Sequence, residues 1–297
     1  MLYHITHNTI YSYSARVSLE PHVVRLRPRS DGWQTLRNFS LTVIPEPVGI
    51  SQITDLEGNT IIKLWFSQEL TNYLEIQVSS EVETQQPNPF TYLLEPWALK
   101  LPIDYPSSLL LQLQPYLGGN GMNYIDPQAV QLAQEISLKV EGNTVAFITE
   151  LNQQIYRNCQ QLIRDIGAPT PPGITWRQKQ GACRDFVVLF MEVCRAVGLA
   201  ARFVSGYQEG DIDADVEDYA RRAIERHLHA WVEVYLPGAG WRGYDPTHGL
   251  AVADRHVALV ASVLPSYTAP ISGAVSRLGG VESTMKYHLK IKKEEGR

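Results

Sequence analysis

The chain has 297 residues, of which 44% are hydrophobic and 19% charged, enough apolar material for packed cores and two domains. A formal net charge of −5 argues against a nucleic-acid binder, which gains affinity by releasing counterions from a basic stripe. Three cysteines without metal-ligand spacing, no apolar run long enough for a bilayer and no leader pattern at the start set the expectation of a cytoplasmic protein without a membrane partner.

Residues 1–86 read as an antiparallel, sandwich-like β domain. Phe39, Leu41 and Val43, then Leu74, Ile76 and Val78, alternate between turn signals, and Glu57-Gly58-Asn59 joins two apolar runs as a hairpin. The alternating Arg25, Arg27 and Arg29 make a polar strand face. Pro87, Pro89, Pro96, Pro102 and Pro106 mark a linker over 87–120 that crosses the surface and closes at Gly118-Gly119-Asn120-Gly121. Residues 121–297 form the predicted second domain. Asp126-Pro127 supplies an N-cap and first-turn pair ahead of Val130, Ala133 and Ile136. A longer helix is predicted to carry Ile148, Leu151, Ile155, Cys159, Leu162 and Ile166 and to stop at Gly167. After the Pro169–Gly173 loop, Phe186, Val187, Phe190, Met191, Val193, Cys194 and Val197 have the spacing of a buried helix that ends at Gly198. Val257–Val260 and Met285–Ile291 look like two closing strands, followed by a frayed polar end.

Three residues in the second half carry the side chains of thiol-based acyl chemistry. Cys183 falls in the first turn of the 186–197 helix, where unsatisfied N–H groups and the positive end of the dipole favour an anion. Cys194 lies ~16 Å further along the same helix at 1.5 Å per residue, too far to bridge to it, and reads as core, as does Cys159. His229 opens a strand with Ala230, Val232, Val234 and Leu236 on an apolar face; Trp231, Glu233 and Tyr235 share the other face with it and look into a cleft. His227 has the same parity and is the fallback. Asp245 follows the short strand candidate Trp241–Tyr244, and a Pro237-Gly238-Ala239-Gly240 turn would fold that strand back and bring the carboxylate beside His229. The expected chemistry is a cysteine nucleophile, a histidine that moves its proton and an aspartate that orients the imidazole. The Cys183 N–H is one candidate oxyanion donor and the Trp176 indole another, although a packed aromatic is the plainer reading of Trp176. No metal or other cofactor is called for: Asp211, Asp213 and Asp215 alternate, but Val216 and Arg222 stand where a calcium loop needs glycine and glutamate.

Four motifs, Gly-Ala-Cys-Arg-Asp-Phe, Gly-Leu-Ala-Ala-Arg-Phe-Val-Ser-Gly-Tyr, His-Ala-Trp-Val-Glu-Val-Tyr-Leu-Pro and Gly-Trp-Arg-Gly-Tyr-Asp-Pro-Thr-His-Gly, occur in this order over residues 175–250. They resemble the core of bacterial transglutaminase-like proteins, and the resemblance places that family's catalytic Cys, His and Asp at Cys183, His229 and Asp245. Tyr3-His4-Ile5-Thr6-His7 and Arg25-Leu26-Arg27-Pro28-Arg29 resemble the β-rich domain that precedes this core in one bacterial branch. The resemblance implies an α+β fold, a β-sandwich-like domain before a papain-like core with the nucleophile at a helix N-terminus on an antiparallel sheet. The segment Gln208–Arg226 departs from the family in length and charge. The function so implied is acyl transfer from peptide or glutamine-type amides through a thioester, with hydrolysis favoured over transfer to an amine. A protein-binding module on the same fold is the alternative from another class, and it has no need of an intact Cys, His and Asp. The expected partner is a peptide or protein substrate.

Overall fold

The computed structural model describes residues 1–118, 125–164, 166–209, 228–276 and 280–294. The first half is built of β1 (Leu2–Leu19), β2 (His22–Val24), β3 (Gln34–Ile44), β4 (Gly49–Thr54), β5 (Thr60–Trp65) and β6 (Thr71–Thr84). The predicted turn falls between β4 and β5, where Gly58 takes a φ of +77° and the Asp55 carboxylate accepts from the Asn59 N–H. Next come α1 (Ser107–Leu113), α2 (Pro127–Lys139), α3 (Thr144–Asn158), β7 (Gln160–Gln161), α4 (Pro172–Gln178), β8 (Gln180–Gly181) and α5 (Cys183–Ala196). The chain closes with β9 (Ala201–Gln208), β10 (Leu228–Leu236), β11 (Gly240–Asp245), β12 (Leu250–Ala251), β13 (His256–Ser262), β14 (Ile271–Ser272), β15 (Val275–Ser276) and β16 (Ser283–Glu294).

Two antiparallel sheets make the β half. In one, β6 lies between β1 and β3, while β15 and β16 share the other side of β1; the second runs β14-β2-β5-β4. Tyr3, Ile5, Leu74, Ile76 and Val78 from the first meet Val24, Ile62 and Leu64 from the second in one buried cluster. The last strands, expected among the elements of residues 121–297, pair instead with the start of the chain: Leu2 faces Glu294 and Tyr13 faces Ser283. The alternation of Met285, Tyr287, Leu289 and Ile291 reveals a strand but carries no address for its partner.

The second half sets α5 against an antiparallel sheet of order β12-β11-β10-β9-β13. Ala230, Val232, Val234 and Leu236 share a cluster with Phe186, Phe190 and Val193 of α5, so the apolar face of β10 packs as its alternation predicts. The other face is covered as well, with Trp231 buried over Gly206. Two side chains of the β half continue this sheet past its edge. Gln34 accepts from the Ala258 N–H and donates to the Ala258 carbonyl, and Asn59 does the same at Ala261. Both amides are buried, and they satisfy edge groups of β13 that would otherwise be left unpaired.

Two sequence expectations are corrected here. The stretch 87–118 is not simply a surface linker, because Ala98, Ile103, Tyr105 and Leu113 are buried in the α5 cluster. The helix predicted to reach Ile166 ends at Asn158: Cys159 is extended, and the Gln160 and Leu162 N–H groups bond to the Lys179 and Gly181 carbonyls as a short parallel pair. Leu162 and Ile166 are therefore exposed despite their helical spacing. That pairing leads the chain to the start of α5.

Candidate active site

Cys183 is the first residue of α5 and is half-buried. Asp185, two residues on and 2% exposed, fixes this helix start by accepting from the Ala182 N–H at 2.7 Å, the Thr170 N–H at 2.7 Å and the Arg164 guanidinium at 2.6 Å. One carboxylate thus ties the preceding loop to the turn that presents the thiol. The Asp126 N-cap behaves as predicted, accepting from the Gln128 N–H, and its second oxygen takes the Gly173 N–H at the start of α4.

The β10–β11 hairpin pairs Val232 with Tyr244 and Leu236 with Gly240. This register carries Asp245, at the end of β11, to the imidazole of His229, where Nε2 lies 2.8 Å from Asp245 Oδ2. The Cys183 side chain lies near enough to the same imidazole to help hold its charge, and Nδ1 is the ring nitrogen not engaged by Asp245. The three predicted residues are therefore brought together. His227, and the alternating Asp211, Asp213 and Asp215, lie outside the described residues, as does most of Gln208–Arg226. Trp176 is half-buried against the core with the Lys179 ammonium over its ring, the packed role of the two weighed for it.

Asp245 holds more than its predicted partner. The same Oδ2 receives His248 Nδ1 at 2.9 Å and His256 Nε2 at 3.2 Å, while Oδ1 accepts the Thr247 N–H at 3.0 Å and the His248 N–H at 3.4 Å. The carboxylate is fully buried. Burial works against its charge, but the His229 charge and the hydrogen bonds from three imidazoles outweigh this and hold it well below the usual carboxylate range. Burial likewise opposes a charge on His229; attraction to Asp245, with help from Cys183, prevails and pushes its pKa up to about 10. His256 goes the other way, lowered first by burial and further by the charges of its imidazole neighbours. The buried anion at the centre thus pairs with the His229 imidazolium. Sequence reasoning missed both extra histidines and the tie at Asp185. His248 could have been found three residues after Asp245 in Asp-Pro-Thr-His, whereas nothing local marks His256, which arrives on β13.

Among the described residues, His229, Asp245 and His248 could also offer one ligand atom each to a cation, all within 4.8 Å of one another, although these atoms already bond among themselves. The other thiols have different surroundings: burial pushes both Cys159 and Cys194 upward. Iodoacetamide at neutral pH is accordingly expected to label Cys183 first, with Cys159 and Cys194 modified only after denaturation, as peptide mass mapping would read. Equal labelling of the three in the native protein would contradict the arrangement.

Residues 3–83 match the bacterial transglutaminase-like N-terminal region, and residues 130–246 match the transglutaminase-like superfamily. An uncharacterised Mycobacterium tuberculosis protein is 27% identical over 266 residues, 86% of this chain and 81% of that protein. A protein-glutamine gamma-glutamyltransferase of Pseudomonas aeruginosa is 34% identical over 73 residues, 25% of this chain but 11% of that enzyme. The crystal structure of a candidate cysteine protease from Cytophaga hutchinsonii superposes with a TM-score of 0.71 at 19% identity, over 100% of this chain and 92% of that one, a likeness of fold. With both of its halves matched and the fold shared end to end, the chain belongs to the bacterial transglutaminase-like proteins, carrying their N-terminal region ahead of a transglutaminase-like core.

Proposed function

We propose that the protein is a thiol-dependent acyl-transfer enzyme that opens peptide or glutamine-type amide bonds, with Cys183 as nucleophile, His229 as proton carrier and Asp245 as the anchor of the imidazole. The observation that carries this reading is the gathering of Cys183 at the helix start, the His229 imidazole that it helps to charge, and the buried Asp245 that anchors that imidazole. In the reacting pair the His229 imidazolium, anchored by Asp245, holds the proton that the Cys183 thiol gives up. Sulfur attacks the carbonyl carbon, and the imidazolium then donates its proton to the departing nitrogen, leaving a thioester on Cys183. Neutral His229 next takes a proton from water, which adds to the thioester and releases the acid as sulfur departs. The N–H of Cys183, in the first helical turn, is a donor suited to the oxyanion of both steps.

Hydrolysis is the favoured outcome. Amine transfer is the second reading, supported by the partial match to a gamma-glutamyltransferase. Three free thiols are in keeping with action in a reducing compartment such as the cytoplasm. Incubation with glutamine-containing peptides and a tagged primary amine separates the outcomes by mass spectrometry. Cleaved or deamidated peptide without tag is expected; tag incorporated in a Cys183-dependent way would reassign the enzyme as a transferase, and no product from a broad peptide library would favour the binding module.

A further inference from the structure

A cleft lies where the β half, the 84–92 stretch and the central sheet meet, enclosing about 660 Å³ with the space at its open mouth included. It is lined by Trp33, Phe90, Trp231, Trp241, Arg242 and His256 among others, while Cys183 and His229 are not part of it. It opens on the side of β10 that carries Trp231 and Glu233, the alternate of the face packed with α5. Seams between domains are common places for small-molecule sites.

Its polar groups are unusual for a seam that only holds two halves together. Trp231 is 1% exposed, yet its indole N–H has no hydrogen-bond partner; His256 is 7% exposed, and its Nδ1 has none either. Such groups have given up water without gaining a hydrogen bond, so each asks for a partner. His256 lines the cleft, and because its other nitrogen bonds to the Asp245 carboxylate, Nδ1 of the neutral ring is left as an acceptor. The Arg242 guanidinium lies 4.2 Å from the Trp33 ring centre and 4.6 Å from that of Tyr92, against two aromatic rings, and its Nε is also unpartnered. Among the described residues no carboxylate pairs with it. The other charges in the cleft include Glu233, bonded to Arg202 at 2.7 Å, Asp31, which faces Arg29 at 3.5 Å, and Asp254.

We propose that this cleft binds a small organic carboxylate with a flat apolar body. The body lies among Trp33, Phe90 and Trp241, and the carboxylate takes the fork of Arg242, a pairing that an aromatic-stacked guanidinium is shaped to make. The Trp231 N–H and His256 Nδ1 give a hydrogen-bonding edge on the ligand one donor and one acceptor. The site stands one side chain behind Asp245, through His256, and is independent of whether the thiol hydrolyses or transfers.

The test uses the full chain and a set of ring-bearing acids, benzoate, phenylacetate and indole-3-acetate, each beside its neutral amide. Binding is read by calorimetry and by the fluorescence of the tryptophans lining the cleft. At least one acid is expected to bind saturably, about tenfold or more tighter than its amide. Arg242→Gln should remove that preference with circular dichroism unchanged, and Trp231→Phe, which keeps a ring but not the donor, should weaken binding by a smaller factor. If the glutamine variant does not fold, Arg242→Lys keeps the charge without the planar fork and should bind several-fold more weakly. No saturable binding by any acid up to about 10 mM, equal binding of acid and amide, or full affinity in the Arg242 variants would overturn the proposal. The first of these is the result for a cleft that holds only water.

Discussion

Cys183→Ala is expected to reduce turnover of any accepted peptide or amide substrate to the uncatalysed background, a loss on the order of 10⁴-fold or more, with thermal stability nearly unchanged. The two halves of this expectation have separate causes. Cys183 is half-buried at the first position of α5 and contributes one sulfur to the edge of the α5 cluster, so alanine leaves no large cavity in the core. The helix start is held by Asp185 and its three donors, none of which is Cys183. What disappears is the only atom able to form the thioester. Steady-state assays beside a melting curve check the pair: a variant that keeps more than about a hundredth of the activity would remove the thiol from the chemistry. The variant should also yield no covalent adduct on mass spectrometry of a reaction stopped during turnover.

Asp245→Asn should combine a loss of about 10³–10⁴-fold in turnover with a stability cost of about 3 kcal/mol. Asparagine keeps an oxygen that can accept the Thr247 and His248 N–H groups, so the local turn survives. Its amide nitrogen, however, replaces the oxygen met by three imidazoles, and a donor then confronts nitrogens that have been donating. His229 must present a bare Nε2 there and carry its proton on the nitrogen facing Cys183, the wrong tautomer for receiving one. The pKa of His229, pushed up to about 10 by Asp245, should fall to or below its ordinary 6.5, because burial is then opposed by little. Imidazole NMR can follow this directly: in the wild type His229 stays protonated at pH 8, and in the variant it does not. A raised histidine pKa stabilises the fold fully below about pH 6.5, and that contribution drains away as pH climbs through about 10. The lowered Asp245 describes the acid side of the same pair, contributing above the ordinary carboxylate range and lost as pH falls towards its depressed value. The wild type should therefore lose stability at both extremes and the variant should be flatter. A wild-type His229 that titrates near 6.5 would show that the ion pair is not formed.

Much of this site could be read locally. The first-turn place of Cys183 follows from the spacing that begins at Phe186, and the meeting of His229 with Asp245 follows from one short hairpin between two patterned strands. Both depend on contacts close along the chain, where periodicity and turn chemistry speak. His256 belongs to the same carboxylate yet comes from β13, placed by pairing with β9, which no local pattern announces. The misplaced end of α3 has a related cause: the three-and-four spacing of Leu162 and Ile166 suits a helix, but the parallel partner at Gln180–Gly181 takes the backbone first. Tertiary pairing overrode a local preference. The destination of β16 escaped for the same reason, since alternation shows that a strand exists and not whom it joins.

That last strand has a consequence for how the chain is made. Because β16 lies along β1 from Leu2 to Tyr13, the opening segment leaves the ribosome with one long flank bare, and the strand that closes it is translated almost 300 residues later. A bare flank of alternating apolar residues invites pairing with neighbouring nascent chains. Chains interrupted before residue 283 should for this reason gather into insoluble material during expression, even though Cys183, His229, Asp245 and His256 have all been synthesised by then.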